Sequence, residues 1–249
     1  LKVGNRLYMC TAMNQMLALD ANNGKVLWRY DPGVSTDAIP YSASCRGVTA
    51  FDPTKGSTAL ANNTARPTPA LAASTPITGP ATALEECKGL RILEATLDAR
   101  LIEVDADTGK PCPGFGTNGE VDTTVGLGNV YPGMAAMTVA PTIVNGTIVV
   151  GRQVMDGQRN DAPSGAIMAF DATTGERKWA WDMGRPGETG WPAEGEEFTR
   201  GTPNMWTSAA GDDDLNLVYL PLGNSSSDYW SSDRSAEENT YSSALVAID

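Results

Sequence analysis

Three stretches of the chain share one alternation of apolar and polar positions. "MLALDANNGKVLWRYD" at residues 16–31, "LIEVDADTGKPCPGFG" at 101–116 and "IMAFDATTGERKWAWD" at 167–182 each open on an alternating apolar strand. Each then runs through Asp, a few small or polar residues, Gly and a charged residue, and in the first and third a Trp-bearing strand follows. Period-two alternation predicts strands. The polar break predicts a hairpin in which Asp20, Asp105 and Asp171 cap the turn through their own backbone, while Gly24, Gly109 and Gly175 supply positive φ. Trp28 and Trp179, four residues past the turn glycine, are placed to pack between neighbouring sheets.

Further strands fill the gaps, among them "NRLYMCTA", "TIVNGTIVVG" and "NLVYLPLG", and no long window carries an amphipathic helix period. Sheet units recurring at this spacing predict an all-β fold of propeller blades carrying long loops. The final "YSSALVAID" repeats the strand and sets Asp249 where Asp20 and Asp171 stand, so the chain is expected to be cut within a blade. Residues 52–84, rich in Pro, Thr, Ala and Ser, show no periodicity and read as a surface loop or disordered insert in a 1–249 propeller domain. The acidic run Asp212–Asp214 reads as a solvated turn between two strands.

Composition narrows the chemistry. The net charge of −12, with no cluster of Lys and Arg, argues against nucleic-acid binding. There is no histidine, which removes Ser-His-Asp and Cys-His catalysis and His-ligated zinc from this chain. No apolar run reaches membrane-helix length and Leu1 opens no signal peptide, so any anchor or export signal is expected outside these residues. Cys10, Cys45, Cys87 and Cys112 form no CxxC; they suit one or two disulfides in an oxidising compartment, with buried free thiols as the alternative. Cys45 and Cys87 flank the insert, and a bridge between them would close its base.

At "CRGV", at "PNMWTSAAGDDDLNLVYLPLGN" and in the Asp-turn-Gly-Trp repeats, the chain resembles the pyrroloquinoline quinone (PQQ) dehydrogenases, most of all the membrane-bound glucose, quinate and shikimate branch. The resemblance implies a partial eight-bladed β-propeller, with about half of the blades in this chain, holding PQQ and a Ca2+ or Mg2+ ion near its axis. It implies oxidation of a sugar, polyol or cyclic hydroxy acid by hydride transfer to PQQ. Electrons would pass to ubiquinone, in a periplasmic protein anchored to the inner membrane.

Trp206 matches the tryptophan whose ring lies against the PQQ plane, where a flat aromatic wall suits a tricyclic quinone; the alternative is a blade-packing Trp. Arg46 matches an arginine near the cofactor, whose carboxylates suit a guanidinium fork; the alternative is an exposed loop Arg. Asp156 and Asn224 match cation-binding positions, as hard cations prefer carboxylate and amide oxygens, although both residue types are also ordinary turn formers. Ser226 falls where the branch places a hydroxyl near the quinone. Two departures stand out: Ser42 where glucose-oxidising members carry His, and Gly157 where the family has Asn after the metal Asp. In the family the catalytic Asp and a cofactor-contacting Lys lie downstream of the residue matching Asp249, so no catalytic residue is assigned here and the isolated chain is expected to be inactive. A periplasmic propeller serving as an assembly scaffold is the competing class; it would not gather Arg46, Asp156, Trp206 and Asn224 in one cavity.

Overall fold

The computed structural model describes residues 1–55, 87–157 and 159–249. The expected insert at 52–84 lies outside the described residues from position 56 onward. Among the described residues, four antiparallel sheets of three or four strands succeed one another along the chain, with one two-stranded ladder beside them. The first holds β1 (Lys2–Val3), β2 (Arg6–Cys10), β3 (Met16–Asp20) and β4 (Val26–Tyr30) in sequential order. The second holds β5 (Thr49–Phe51), β6 (Arg91–Ala95), β7 (Arg100–Asp105) and β8 (Glu120–Asp122). A short strand β9 (Ala135–Ala136) precedes the third sheet, formed by β10 (Thr142–Val144) and β11 (Thr147–Val150), then β13 (Ile167–Asp171) and β14 (Arg177–Trp181). Between β11 and β13, β12 (Gln153–Val154) pairs with β9. The fourth sheet holds β15 (Ala210–Asp212), β16 (Leu217–Pro221) and β17 (Leu245–Ile248), with the short helix α1 (Ala236–Tyr241) in the β16–β17 connection.

The turns behave as their residues dictate. Asp20, Asp105 and Asp171 each accept a backbone hydrogen bond on Oδ1 two residues on, at 2.8, 3.0 and 2.9 Å. The N–H of Gly24, Gly109 and Gly175 returns to the carbonyl of the same Asp at 2.8 Å in every case. These glycines have φ of 73°, 71° and 74°, a region that a side chain would strain. Asp212 likewise caps the solvated β15–β16 turn by accepting from the N–H groups of Asp214 and Leu215.

Packing between sheets explains the strand sequences. Successive side chains of a strand point to opposite faces, and each inner sheet is covered on both. On β13, Met168 and Phe170 face the second sheet, with Leu93, Leu101 and Phe115, while Ile167 and Ala169 face the fourth, with Val218 and Leu220. Ile92, Ile102 and Val104 of the second sheet meet Tyr8, Met16 and Trp28 of the first. The strands therefore read as nearly continuous apolar runs, since both of their faces are core. Burying Phe170 or Ile148 completely contributes about 1.5–3 kcal/mol each.

Trp28 packs between sheets, as expected. Its ring lies over Gly109, where an added Cβ would stand 2.6 Å from the indole, and its Nε1 donates to the Ala106 carbonyl at 2.9 Å. The turn glycine thus has a second reason to be glycine: the aromatic of the preceding sheet rests on it. Trp179 is half-buried against the apolar layer between the third and fourth sheets.

The cysteine pairing differs from the sequence expectation. The bridges are Cys10–Cys45 and Cys87–Cys112, with Cα–Cα distances of 6.0 and 5.5 Å, and no cysteine is free. Flanking an insert in sequence does not bring Cys45 and Cys87 together. Cys45 runs past the end of β2, which ends on Cys10, and Cys87 sits over the β7–β8 connection that carries Cys112.

No helix among the described residues is long and apolar enough to cross a membrane.

Candidate functional site

The connections at one end of the sheets differ from the hairpin end in being long. At this end lie the straps that lead from the outer strand of one sheet to the first strand of the next, and the β12–β13 and β16–β17 connections. Arg46 and Tyr41 lie on the β4–β5 strap, Asp156 and Gly157 after β12, Asn204 and Trp206 on the β14–β15 strap, and Asn224 and Asp228 after β16. Four segments far apart in sequence meet there around a cavity of about 360 Å3. Asp156, Trp206 and Asn224 line it together with Tyr41, Asn204, Asp228 and Tyr229.

Arg46 is anchored beside this cavity. Its Nη1 donates to Thr138 Oγ1 at 2.7 Å and to the Trp206 carbonyl at 2.9 Å, and its guanidinium lies 5.7 Å from the centre of the Trp206 ring. That is cation–π distance. Among the described residues Arg46 has no carboxylate partner, so its charge is available to an anion. Trp206 keeps 46% of its surface exposed, which sets it apart from the packing Trp28 at 9%.

Asp156 is held from two sides. Asn204 Nδ2 donates to Asp156 Oδ2 at 2.7 Å, and the Ser227 N–H donates to the Asp156 carbonyl at 3.0 Å. Burial pushes the Asp156 carboxyl above its ordinary range, the Asn204 hydrogen bond opposes this, and the charge of Asp228 adds to it. Asn224 Nδ2 donates to Asp228 Oδ1 at 2.8 Å, and Ser243 donates to Asn224 Oδ1 at 2.8 Å.

Asn204 was not singled out from sequence, yet it ties the site together. Its amide also donates to the Asn224 carbonyl at 3.2 Å, while its buried Oδ1 has no partner. An unpartnered buried amide oxygen beside a carboxylate is a donor set that fits a hard cation. The "TPNMW" context held the only signal, since Asn204 sits two residues before Trp206 on the same extended strap. Asp228 in "SSSDYW" was also missed, as a lone carboxylate in a serine-rich loop resembles any turn.

Ser226 is placed differently. It is buried, its hydroxyl has no partner, and its N–H donates to the Gly201 carbonyl, so it packs behind the cavity wall and does not line it. Ser42 and Gly157, the two departures from the family pattern, both lie at this end, Gly157 in the cavity lining itself.

Two glycines let the walls come together. An added Cβ on Gly165 would stand 1.7 Å from the Pro203 carbonyl oxygen and 2.7 Å from Asn204 Cα; one on Gly151 would stand 2.6 Å from Met205 Cβ. The β14–β15 strap therefore lies directly on the third sheet, which fixes the height of Asn204 and Trp206 above it.

Residues 1–249 match the model of the glucose/ethanol/alcohol dehydrogenase β-propeller domain, a PQQ family. The chain is 45% identical over its whole length to the glycerol dehydrogenase large subunit of Gluconobacter oxydans, covering 30% of that protein. It is 38% identical to the quinate/shikimate dehydrogenase (quinone) of Acinetobacter baylyi, covering 29%. The chain thus spans about 30% of the length of the curated relatives it matches. Its fold is similar to the quinohemoprotein alcohol dehydrogenase of Comamonas testosteroni, with a TM-score of 0.64 at 22% identity over all of this chain and 32% of that one. The chain therefore belongs to the PQQ glucose/ethanol/alcohol dehydrogenase β-propeller family.

Proposed function

We propose that this chain supplies one wall of the cofactor and cation site of a longer PQQ-dependent dehydrogenase that oxidises a polyol, sugar or cyclic hydroxy acid. The carrying observation is that Asp156, Trp206 and Asn224, from three separate segments, line one cavity, while Arg46 stands beside it, bonded to the Trp206 carbonyl. Two disulfides suit a periplasmic setting, and transfer of electrons to ubiquinone through an inner-membrane anchor belongs to the same reading. An assembly scaffold has no use for such a convergence.

PQQ, when bound, would supply the quinone that accepts a hydride from the alcohol carbon. Each residue then has a physical task. The exposed Trp206 ring offers a rigid apolar wall for a flat ligand and keeps water from one side of it. Arg46, fastened to the Trp206 carbonyl, presents a guanidinium free for a carboxylate. Asp156, Asn204 and Asn224 offer oxygens to Ca2+ or Mg2+, and a bound cation would reverse the burial effect on Asp156 by favouring its charged form. No residue of this chain is assigned as the general base; none should be recruited to that task merely for being acidic.

The test is titration of the full-length protein with PQQ in the presence of Ca2+ or Mg2+, followed by tryptophan fluorescence. Arg46→Lys, which keeps charge but loses the fork, is expected to weaken binding roughly tenfold, the loss of one charge-assisted hydrogen bond of about 1.5 kcal/mol. Unchanged affinity in both Arg46→Lys and Trp206→Ala would remove the assignment.

A further inference from the structure

The Cys10–Cys45 bridge sits at the cofactor end, and its surroundings are unlike those of an inert cross-link. Cys45 directly precedes Arg46, so the bridge fastens the Arg46 strap to the end of β2. Both of its cysteines are half-buried, whereas Cys87 and Cys112 are buried. Glu94, fully buried on β6, brings Oε1 to 3.1 Å from Cys45 Sγ. A disulfide sulfur carries no proton, so a hydrogen bond across this contact needs the proton on the carboxyl.

Burial favours that protonated state. Asn14 Nδ2 donates to the same Oε1 at 2.9 Å and works the other way, toward the charged form, while Oε2 has no partner. Asn14 is itself fixed, with φ at 59° and its Oδ1 accepting from the Leu97 N–H at 3.0 Å. Among the described residues no Arg or Lys forms an ion pair with Glu94. The charge that reaches it is Asp98 in the β6–β7 turn, which acts with burial against ionisation.

We infer that the Cys10–Cys45 bridge is an exchangeable redox site for a dithiol reductant, with Glu94 as its built-in proton donor, and that opening it loosens the Arg46 strap. A reductant thiolate attacks Cys10 Sγ, the S–S bond breaks, and the departing Cys45 thiolate takes the Glu94 proton. The second reductant thiol, as thiolate, attacks the mixed disulfide, releases the Cys10 thiolate to be protonated by water, and closes the reductant's own disulfide. The two electrons come from the dithiol, whose protons pass to water, and Glu94 is reprotonated from there. The consequence for Arg46 rests on its proposed cofactor role; the exchange chemistry does not.

The test uses the full-length protein, dithiothreitol as the probe, and timed alkylation with peptide mass spectrometry scoring the four cysteines separately. Under native conditions Cys10 and Cys45 are expected to open on the order of tenfold faster than Cys87 and Cys112, which serve as the internal control. Glu94→Gln should slow the opening on the order of tenfold at pH 7, as loss of a positioned acid does. That difference should vanish as pH rises past about 8, where Glu94 gives up its proton. Simultaneous opening of both bridges, or a Glu94→Gln rate equal to wild type at pH 7, overturns the exchange site. Should Glu94→Gln fail to fold, Glu94→Asp, which withdraws the acid by one methylene, must show the slowing instead. PQQ titration of the Cys10→Ser/Cys45→Ser variant tests the coupling: weaker binding supports it, and unchanged binding beside a normal wild-type titration overturns the coupling alone.

Discussion

Replacing Gly165 by alanine adds a single methyl group at the point where the β14–β15 strap touches the third sheet. That methyl would stand 1.7 Å from the Pro203 carbonyl oxygen and 2.5 Å from its carbon, where ordinary Cβ contact begins at 3.4 Å. The obstructing atoms are backbone, so no side chain can swing away and the strap must rise by roughly 1.5 Å. Asn204 follows Pro203 directly. Its 2.7 Å hydrogen bond to Asp156 would be carried beyond hydrogen-bonding range, and the buried Asp156 carboxyl would lose the contact that favours its charged form. Overpacking with displaced backbone costs about 3 kcal/mol, the upper end of the usual range. Gly165→Ala in the full-length protein is therefore expected to lower the denaturant midpoint and to weaken cation-dependent PQQ binding. Gly187→Ala is the control, because its added Cβ meets nothing within 4 Å and its backbone is not in the glycine-favouring region. Gly165→Ala with the stability and PQQ affinity of wild type would refute the claim that close backbone approach sets the height of the site.

Two further outcomes follow from the same packing and burial. Phe170→Ala leaves a cavity between the second and third sheets and is expected to cost about 3–5 kcal/mol in urea unfolding; a loss under 1 kcal/mol would mean that the sheets close over the gap. Burial holds the Glu94 proton up to about pH 8, against 4.5 for the free side chain, so the folded chain binds more protons than the unfolded one between these values. Stability should be fullest below the lower value and fall as pH rises toward 8, by at most about 1.4 kcal/mol per unit for this one group. Denaturant unfolding from pH 5 to 8 should show a shallower decline in Glu94→Gln, and equal slopes would mean that Glu94 is ionised in the folded protein.

Much of the fold was legible in the chain, because its cause is local. The Asp and Gly turns need a capping carboxylate and positive φ within a few residues, and both requirements are written at Asp20/Gly24, Asp105/Gly109 and Asp171/Gly175. Matched context singled out Arg46, Asp156, Trp206 and Asn224; the last three line one cavity, and Arg46 bonds the Trp206 carbonyl beside it.

The remainder is long-range and depended on tertiary structure. Sequence adjacency pointed to a Cys45–Cys87 bridge around the insert, but which sulfurs meet depends on which strand ends face each other. Ser226 sat at the right position in the chain, yet the turn of the β16–β17 connection directs it behind the wall. Asn204 and Asp228 are common loop residues until their hydrogen bonds to Asp156 and Asn224 are known. The role of Glu94 was equally hidden, since a glutamate on a strand reads as a solvated face. Its sequence determined that the strand would form. Only the packing of the second sheet against its neighbours decided that this carboxyl would be buried against a disulfide, because burial and proximity belong to the assembled sheets and to no single segment.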